Sequence, residues 1–234
     1  MDGRDSSCPH IECVIVGDSK VGKSYLLSRL ANRPLKGTYR PTMFDMVPVQ
    51  VNRAGDIVIV DFWDTPGCHA HEKVRELSYG GAQIFVICFS VADPDSQNSV
   101  TEKWVHEIQR INRKVPFLLV GLQSDLRGDV ETCKRLQSTG RDFPTITEMS
   151  AMARQIGAVD YVECSAITEI GLDRLLQTLV SAVSKPAFLR PFSPRRSCPL
   201  PPLSAFDKDT PKKVSSPLNL GLAERTTQKG VLPP

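Results

Sequence analysis

The chain has 234 residues, 41% hydrophobic and 24% charged, a balance that excludes a membrane-embedded chain and suits one sizeable core. The formal charge of +3 is unevenly spread: from Lys185 onward nine Lys/Arg face three Asp/Glu, giving +6 there and −3 over residues 1–184. Seven cysteines without CxxC or Cys/His metal spacing point to reduced thiols rather than a disulfide framework or a zinc site, and the polar stretch Met1–His10 lacks the apolar run of a signal peptide.

The first strand is expected at Ile11–Val16. It runs into Gly17-Asp18-Ser19-Lys20-Val21-Gly22-Lys23-Ser24, which fits the phosphate-loop pattern G-x-x-x-x-G-K-[ST] residue for residue. Glycines let backbone N–H groups curl around an anion, Lys23 can reach outer phosphates, and the Ser24 hydroxyl can ligate Mg²⁺. A helix starting near Lys23, with Leu26, Leu27 and Leu30 at helical spacing, points its positive end at the same charge.

Pro34, Gly37 and Pro41 predict a loop over 32–40, followed by a hairpin of Met46–Asn52 and Ile57–Phe62 about Arg53-Ala54-Gly55-Asp56. Asp61-Phe62-Trp63-Asp64-Thr65-Pro66-Gly67 then places a carboxylate and a glycine at a strand end, where a nucleotide enzyme holds Mg²⁺ through water. Ile84–Ser90 and Phe117–Val120 read as strands buried on both faces. A helix is expected over 95–112, with Val100, Trp104, Val105, Ile108 and Ile111 at its spacing, then a short strand Tyr161–Cys164 and an amphipathic helix Gly171–Val183. This alternation predicts an α/β fold with a mostly parallel sheet, six-stranded and flanked by helices, and ligands at the strands' C-terminal edge. From Lys185 ten of the chain's 18 prolines occur without hydrophobic periodicity, predicting a disordered tail.

The phosphate loop, Tyr39-Arg40-Pro41-Thr42-Met43-Phe44-Asp45, Asp64-Thr65-Pro66-Gly67, Leu77-Ser78-Tyr79 and Glu163-Cys164-Ser165-Ala166 together resemble the Ras superfamily of small GTPases, and within it the Rho/Rac branch. The stretch after Asp125 resembles the helical insert of Rho proteins. The resemblance implies a phosphate-loop GTPase domain over 11–184 with that insert at about 126–145, an extension at 1–10 and a basic tail at 185–234. It implies GTP/GDP and Mg²⁺ as cofactors: nucleotide contacts from Gly17 to Tyr25 and at Leu35, Tyr39, Gln123, Asp125, Ser165, Ala166 and Ile167; metal ligands Ser24, Thr42 and Asp64. Thr42 and Gly67 would order the switch loops around a γ-phosphate, and effectors would dock on Tyr39–Asp45 and on the switch from Gly67 to Tyr79. The bland reading of Asp125 is a helix cap or turn residue.

Departures from the family pattern set the expected mechanism. The glutamine that orients the attacking water is replaced by Cys68, a weak hydrogen-bonding group. Ser19 replaces a glycine and crowds the place of an arginine finger, a device worth about 10³ to 10⁵ in rate. Pro66 stiffens the loop. In the base motif, Leu122-Gln123-Ser124-Asp125 lacks the lysine that packs on guanine, and Leu35 and Ile167 also depart from the usual types. The expectation is a Rho-like signalling switch with slow or absent hydrolysis and weakened base contacts, acting in cytoskeletal or polarity signalling. Two alternatives stay open: a conventional cycling GTPase enzyme and a nucleotide-free scaffold.

Cys68 is read as a loop residue rather than a redox-sensing thiol, because no neighbouring cation is apparent from sequence. His69 and His71 are read as exposed switch residues and Trp104 as core. The ending Val231-Leu232-Pro233-Pro234 lacks a prenylation box, and Cys198 beside Arg195 and Arg196 is a candidate acylation site. Arg196–Pro202 fits R-x-x-P-x-x-P, a pattern that docks on SH3 domains, against the plainer reading of a flexible linker. The expected protein is a cytoplasmic monomer that binds no nucleic acid, with peripheral attachment at the inner face of the plasma membrane as a further hypothesis.

Overall fold

The computed structural model describes residues 8–34, 44–53 and 55–183. The chain divides into Met1–Arg190 and Pro191–Pro234, and all described residues lie in the first unit. Leu35, Tyr39, Thr42, Met43, the tail with Cys198 and Arg196–Pro202, and residues 1–7 lie outside the described residues.

Strand β1 (His10–Gly17) leads through the phosphate loop into α1 (Lys23–Leu30). Strands β2 (Asp45–Arg53) and β3 (Asp56–Asp64) form the expected hairpin, each longer than its apolar alternation because ladder pairing continues to Asp45 opposite Asp64 and Arg53 opposite Asp56. Pro48, which cannot donate to a ladder, is tolerated because β2 is an edge strand. A 3₁₀ turn (His69–His71) opens α2 (Glu72–Tyr79), and β4 (Ile84–Ser90) follows with all seven residues buried.

The helix expected over 95–112 runs as α3 (Pro94–Ser99), a π-helical segment (Val100–Trp104) and α4 (Val105–Asn112). Asp93 caps its start by accepting from the Asp95 amide, with Pro94 at the first helical position. Strand β5 (Phe117–Leu122) is also buried throughout. The stretch expected as an insert, 126–145, contains one α-helix, α5 (Val130–Ser138), and a separate α6 (Ile146–Ile156) starts at a capping box between Thr145 and Glu148. Strand β6 (Tyr161–Glu163) and α7 (Leu172–Val183) complete the unit.

The six strands are ordered β2-β3-β1-β4-β5-β6, parallel except for the β2–β3 pair. Successive side chains leave opposite faces of a strand, so β1 feeds two cores. Cys13 and Ile15 join Leu26 and Leu27 of α1 and Leu175, Leu179 and Val180 of α7. Val14 and Val16 join Tyr79, Trp104, Ile108, Met149 and Ala153 from α2, the π segment, α4 and α6. This is the helix-covered, mostly parallel α/β sheet that the alternation of elements predicts. Its strand ends at Gly17, Asp64, Ser90, Leu122 and Glu163 gather the motifs on one edge.

Candidate functional site

The phosphate loop turns sharply because three of its residues have positive φ: Gly17 (145°), Lys20 (69°) and Gly22 (106°). Gly17 also needs its missing side chain, since a Cβ there would lie 2.2 Å from the Cys88 carbonyl oxygen of β4. Lys23 leaves the start of α1 buried at 7% exposure and its Nζ donates to the carbonyls of Gly17 (2.7 Å) and Asp18 (2.8 Å). Burial pushes the Lys23 pKa down, while Cys88, Asp64 and Asp18 act in the opposite direction. The loop therefore holds a buried cation against a strand end.

Lys23 faces a cavity of about 760 Å³. Ser19, Lys20, Gly22, Ser24, Tyr25, Asp64, Gly67, Gln123, Asp125, Ala166 and Ile167 line the same cavity, so residues separated by almost 150 positions in sequence are assembled at one place. Gly17, Asp18, Val21 and Ser165 support it without lining it. Val21 and Ser165 are buried.

At the far end, Ser165 Oγ donates to Asp125 Oδ1 (2.6 Å) and accepts from the amides of Ile167 and Thr168 (both 3.1 Å). One carboxylate oxygen of Asp125 is thus anchored to the loop after β6. Asp125 lies in a 3₁₀ turn, Ser124–Gly128, and is part of the cavity wall as well. Gln123 adopts a left-handed conformation at φ 60°, where its Nε2 donates to the Lys20 carbonyl (3.4 Å) and its Oε1 accepts from Ser90 Oγ (2.5 Å). It ties the phosphate loop to the ends of β4 and β5. Arg29 Nε donates to the Ala166 carbonyl (2.9 Å), holding that loop to α1.

The Ras family model matches residues 12–185. The chain belongs to the Ras family. The sheet edge that forms the cavity of this Ras-family protein is that of the phosphate-loop fold. The donor chemistry suits the family's ligands: hydroxyl and carboxylate oxygens for a hard dication at Ser24 and Asp64, and Lys23 with backbone amides for phosphate. No helix among the described residues is long and apolar enough to cross a membrane.

The turn after β3 holds groups that sequence reading did not find. Gly67 packs so closely on the phosphate loop that a Cβ would meet the Ser19 nitrogen at 2.3 Å. The carbonyls of Pro66 and Cys68 accept from Arg75 Nη1 (2.9 and 2.6 Å), and that of Gly67 accepts from Lys103 Nζ (3.4 Å). Two cations thus clamp three consecutive carbonyls. Arg75 is wholly buried and its Nε and Nη2 donate to Glu107 of α4 (2.9 and 2.8 Å), which also accepts from Tyr79 Oη (2.6 Å). Burial alone would raise the Glu107 pKa, but the bonds from Arg75 and Tyr79 outweigh it and hold the carboxyl below its ordinary value.

Trp104 has a second role beside the expected one, and the readings of Cys68 and His71 change. Trp104 is core, as expected, yet its Nε1 also donates to Asp18 Oδ1 (3.0 Å), with Lys103 Nζ 3.9 Å from its ring centroid. Cys68, beside which the sequence shows no cation, places its Sγ 2.7 Å from His71 Nδ1 and is not among the residues lining the cavity. The missed partner was three residues away, but loop sequence carries no periodicity from which such a contact could be inferred. His69 is 86% exposed as expected, whereas His71 is half-buried against the thiol.

Proposed function

We propose that this protein is an atypical Rho-like GTP-binding switch in which hydrolysis is slow or absent and effector binding is the output. The observation that carries the reading is the position of Cys68. It follows Gly67 in the place of the water-orienting residue, yet its thiol is engaged by His71 and does not line the nucleotide cavity. A thiol already so engaged is a poor substitute for a side-chain amide that must hold a water in line with the γ-phosphate. Ser19 adds a side chain to the cavity wall beside Gly67, where a partner's arginine would need room.

In this reading the guanine-nucleotide domain spans 11–184, with the Rho-type insert at about 126–145 and a basic tail at 185–234. Lys23 and the amides of the loop bind phosphates, and Asp125, positioned by Ser165, accepts from the guanine edge. Ser24 and Asp64, with Thr42, would hold Mg²⁺, which would supply positive charge to neutralise the phosphates. Gln123 stands in place of the base-motif lysine and secures the phosphate loop at Lys20. Helix α5 in the insert supports the Rho-like assignment. Effectors read Tyr39–Asp45 and the segment from Gly67 to Tyr79, in cytoskeletal or polarity signalling at the cytoplasmic face of a membrane; SH3 domains are candidate partners of Arg196–Pro202.

The test is the identity and stoichiometry of nucleotide released from freshly purified protein, followed for hours at 25 °C with Mg²⁺. The expected result is GTP that persists. GDP would replace this reading with a cycling enzyme, and an empty site would replace it with a scaffold.

A further inference from the structure

We propose that Cys68 and His71 form a nucleophilic thiol–imidazole pair, making Cys68 the protein's site of oxidation by hydrogen peroxide. The pair is local and rigidly placed. Cys68 precedes the 3₁₀ turn His69–His71 that opens α2, and this turn brings the imidazole Nδ1 to 2.7 Å from Sγ. The backbone of Cys68 is fixed independently, because the wholly buried Arg75 donates to its carbonyl and is itself held by Glu107. The charged and titratable neighbours are Arg75 and Lys103 on the adjoining carbonyls and the His69–Glu72 pair on the outer side of the turn. Cys68 is half-buried and belongs to neither core.

A cysteine beside a base that can take its proton is the arrangement of an activated nucleophile. In the reaction the thiol proton passes to His71, and the sulfur attacks one oxygen of peroxide. An S–O bond forms as the O–O bond breaks; sulfur loses two electrons and peroxide gains them. The hydroxide that departs takes the proton from His71 and leaves as water, giving a sulfenic acid on Cys68. The other described cysteines lack this arrangement. Cys13, Cys88 and Cys164 are buried, with burial pushing their thiols up, in the case of Cys164 to about 12. Cys133 faces the Arg127 carbonyl and Cys8 is simply exposed.

The regulatory consequence rests on the functional reading above. Cys68 adjoins Gly67 in the chain, and Arg75 holds the carbonyls of Pro66 and Cys68 on either side of that glycine. Oxidation would thus disturb the switch turn at the place where it meets a terminal phosphate.

The experiment treats the full-length protein at pH 7 with hydrogen peroxide in the presence of dimedone, which traps sulfenic acids, and maps adducts by peptide mass spectrometry over time. Cys8 serves as the internal reference for an exposed thiol. The expected result is trapping at Cys68 about tenfold or more faster than at Cys8, and a fall of similar size at Cys68 alone in both His71→Ala and His71→Gln. Equal rates at Cys68 and Cys8, or either variant retaining the wild-type rate at Cys68, would overturn the proposal. The readout is independent of nucleotide, so it stands or falls separately from the GTPase reading.

Discussion

The indole Nε1 of Trp104 donates to Asp18 Oδ1 across 3.0 Å, so a side chain that fills one of the two cores also grips the phosphate loop. The π-helical segment Val100–Trp104 places this contact, because one extra residue in the turn rotates the side chains that follow. The loop's conformation is thereby coupled to a helix that also carries Lys103, the donor to Gly67.

Replacing Trp104 with Phe would remove the bond to Asp18 while keeping an aromatic ring in the core. A cost of about 1 kcal/mol is expected in urea unfolding, since Asp18 is partly exposed. Release of a fluorescent GDP analogue should accelerate severalfold. An unchanged release rate would show that the loop does not depend on this contact.

The Arg75–Glu107 pair should set an acid limit to stability. The Glu107 carboxyl is held below its ordinary value of 4.5, so it contributes stability above that value and loses it as pH falls through the folded one. Glu107→Gln leaves the buried guanidinium without a counter-charge, which costs about 3–5 kcal/mol when a buried pair is broken. Urea titrations between pH 3 and 7 should therefore show a lower and flatter stability profile in the variant. A profile parallel to that of the wild type would exclude Glu107 as the acid-sensitive group.

Gly67→Ala should be costly for a reason visible in three distances. The new Cβ would stand 2.3 Å from the Ser19 nitrogen, 2.4 Å from the Asp18 carbonyl carbon and 2.6 Å from the Gly17 oxygen, all backbone atoms. A loss of about 1–3 kcal/mol is expected, with weakened GTP binding relative to GDP. Gly80→Ala is the control, because its Cβ would meet nothing within 4 Å. Calorimetric melting and nucleotide titration of both variants distinguish the close approach from a general effect of alanine.

Combining Cys68→Gln with Ser19→Gly restores a water-orienting amide and opens the cavity wall. Single-turnover phosphate release should rise by about tenfold or more. If the double variant hydrolyses GTP no faster than the wild type, these two positions are not what slows the reaction.

The sheet could be anticipated from β4 and β5 because strands buried on both faces must be largely apolar, and residues 84–89 and 117–120 are apolar at every position. Helix α6 carries its own local signal, since Thr145 and Glu148 spell a capping box before an amphipathic run. Helix α2 was harder, since its two buried residues are Arg75 and Tyr79, and a buried arginine breaks the apolar pattern by which a core-facing helix is recognised.

By itself the sequence determined the phosphate loop, the alternation of strands and helices, and the presence of a carboxylate and a glycine at the end of β3. These are short-range features in which each residue type has a local physical cause. Only the tertiary structure decided that Arg75 would meet Glu107, 32 residues away, that Trp104 would reach Asp18 across 86, and that the Cys68 thiol would rest on His71. Such partners depend on which strands are neighbours and how a helix is wound, and no periodicity along the chain records either.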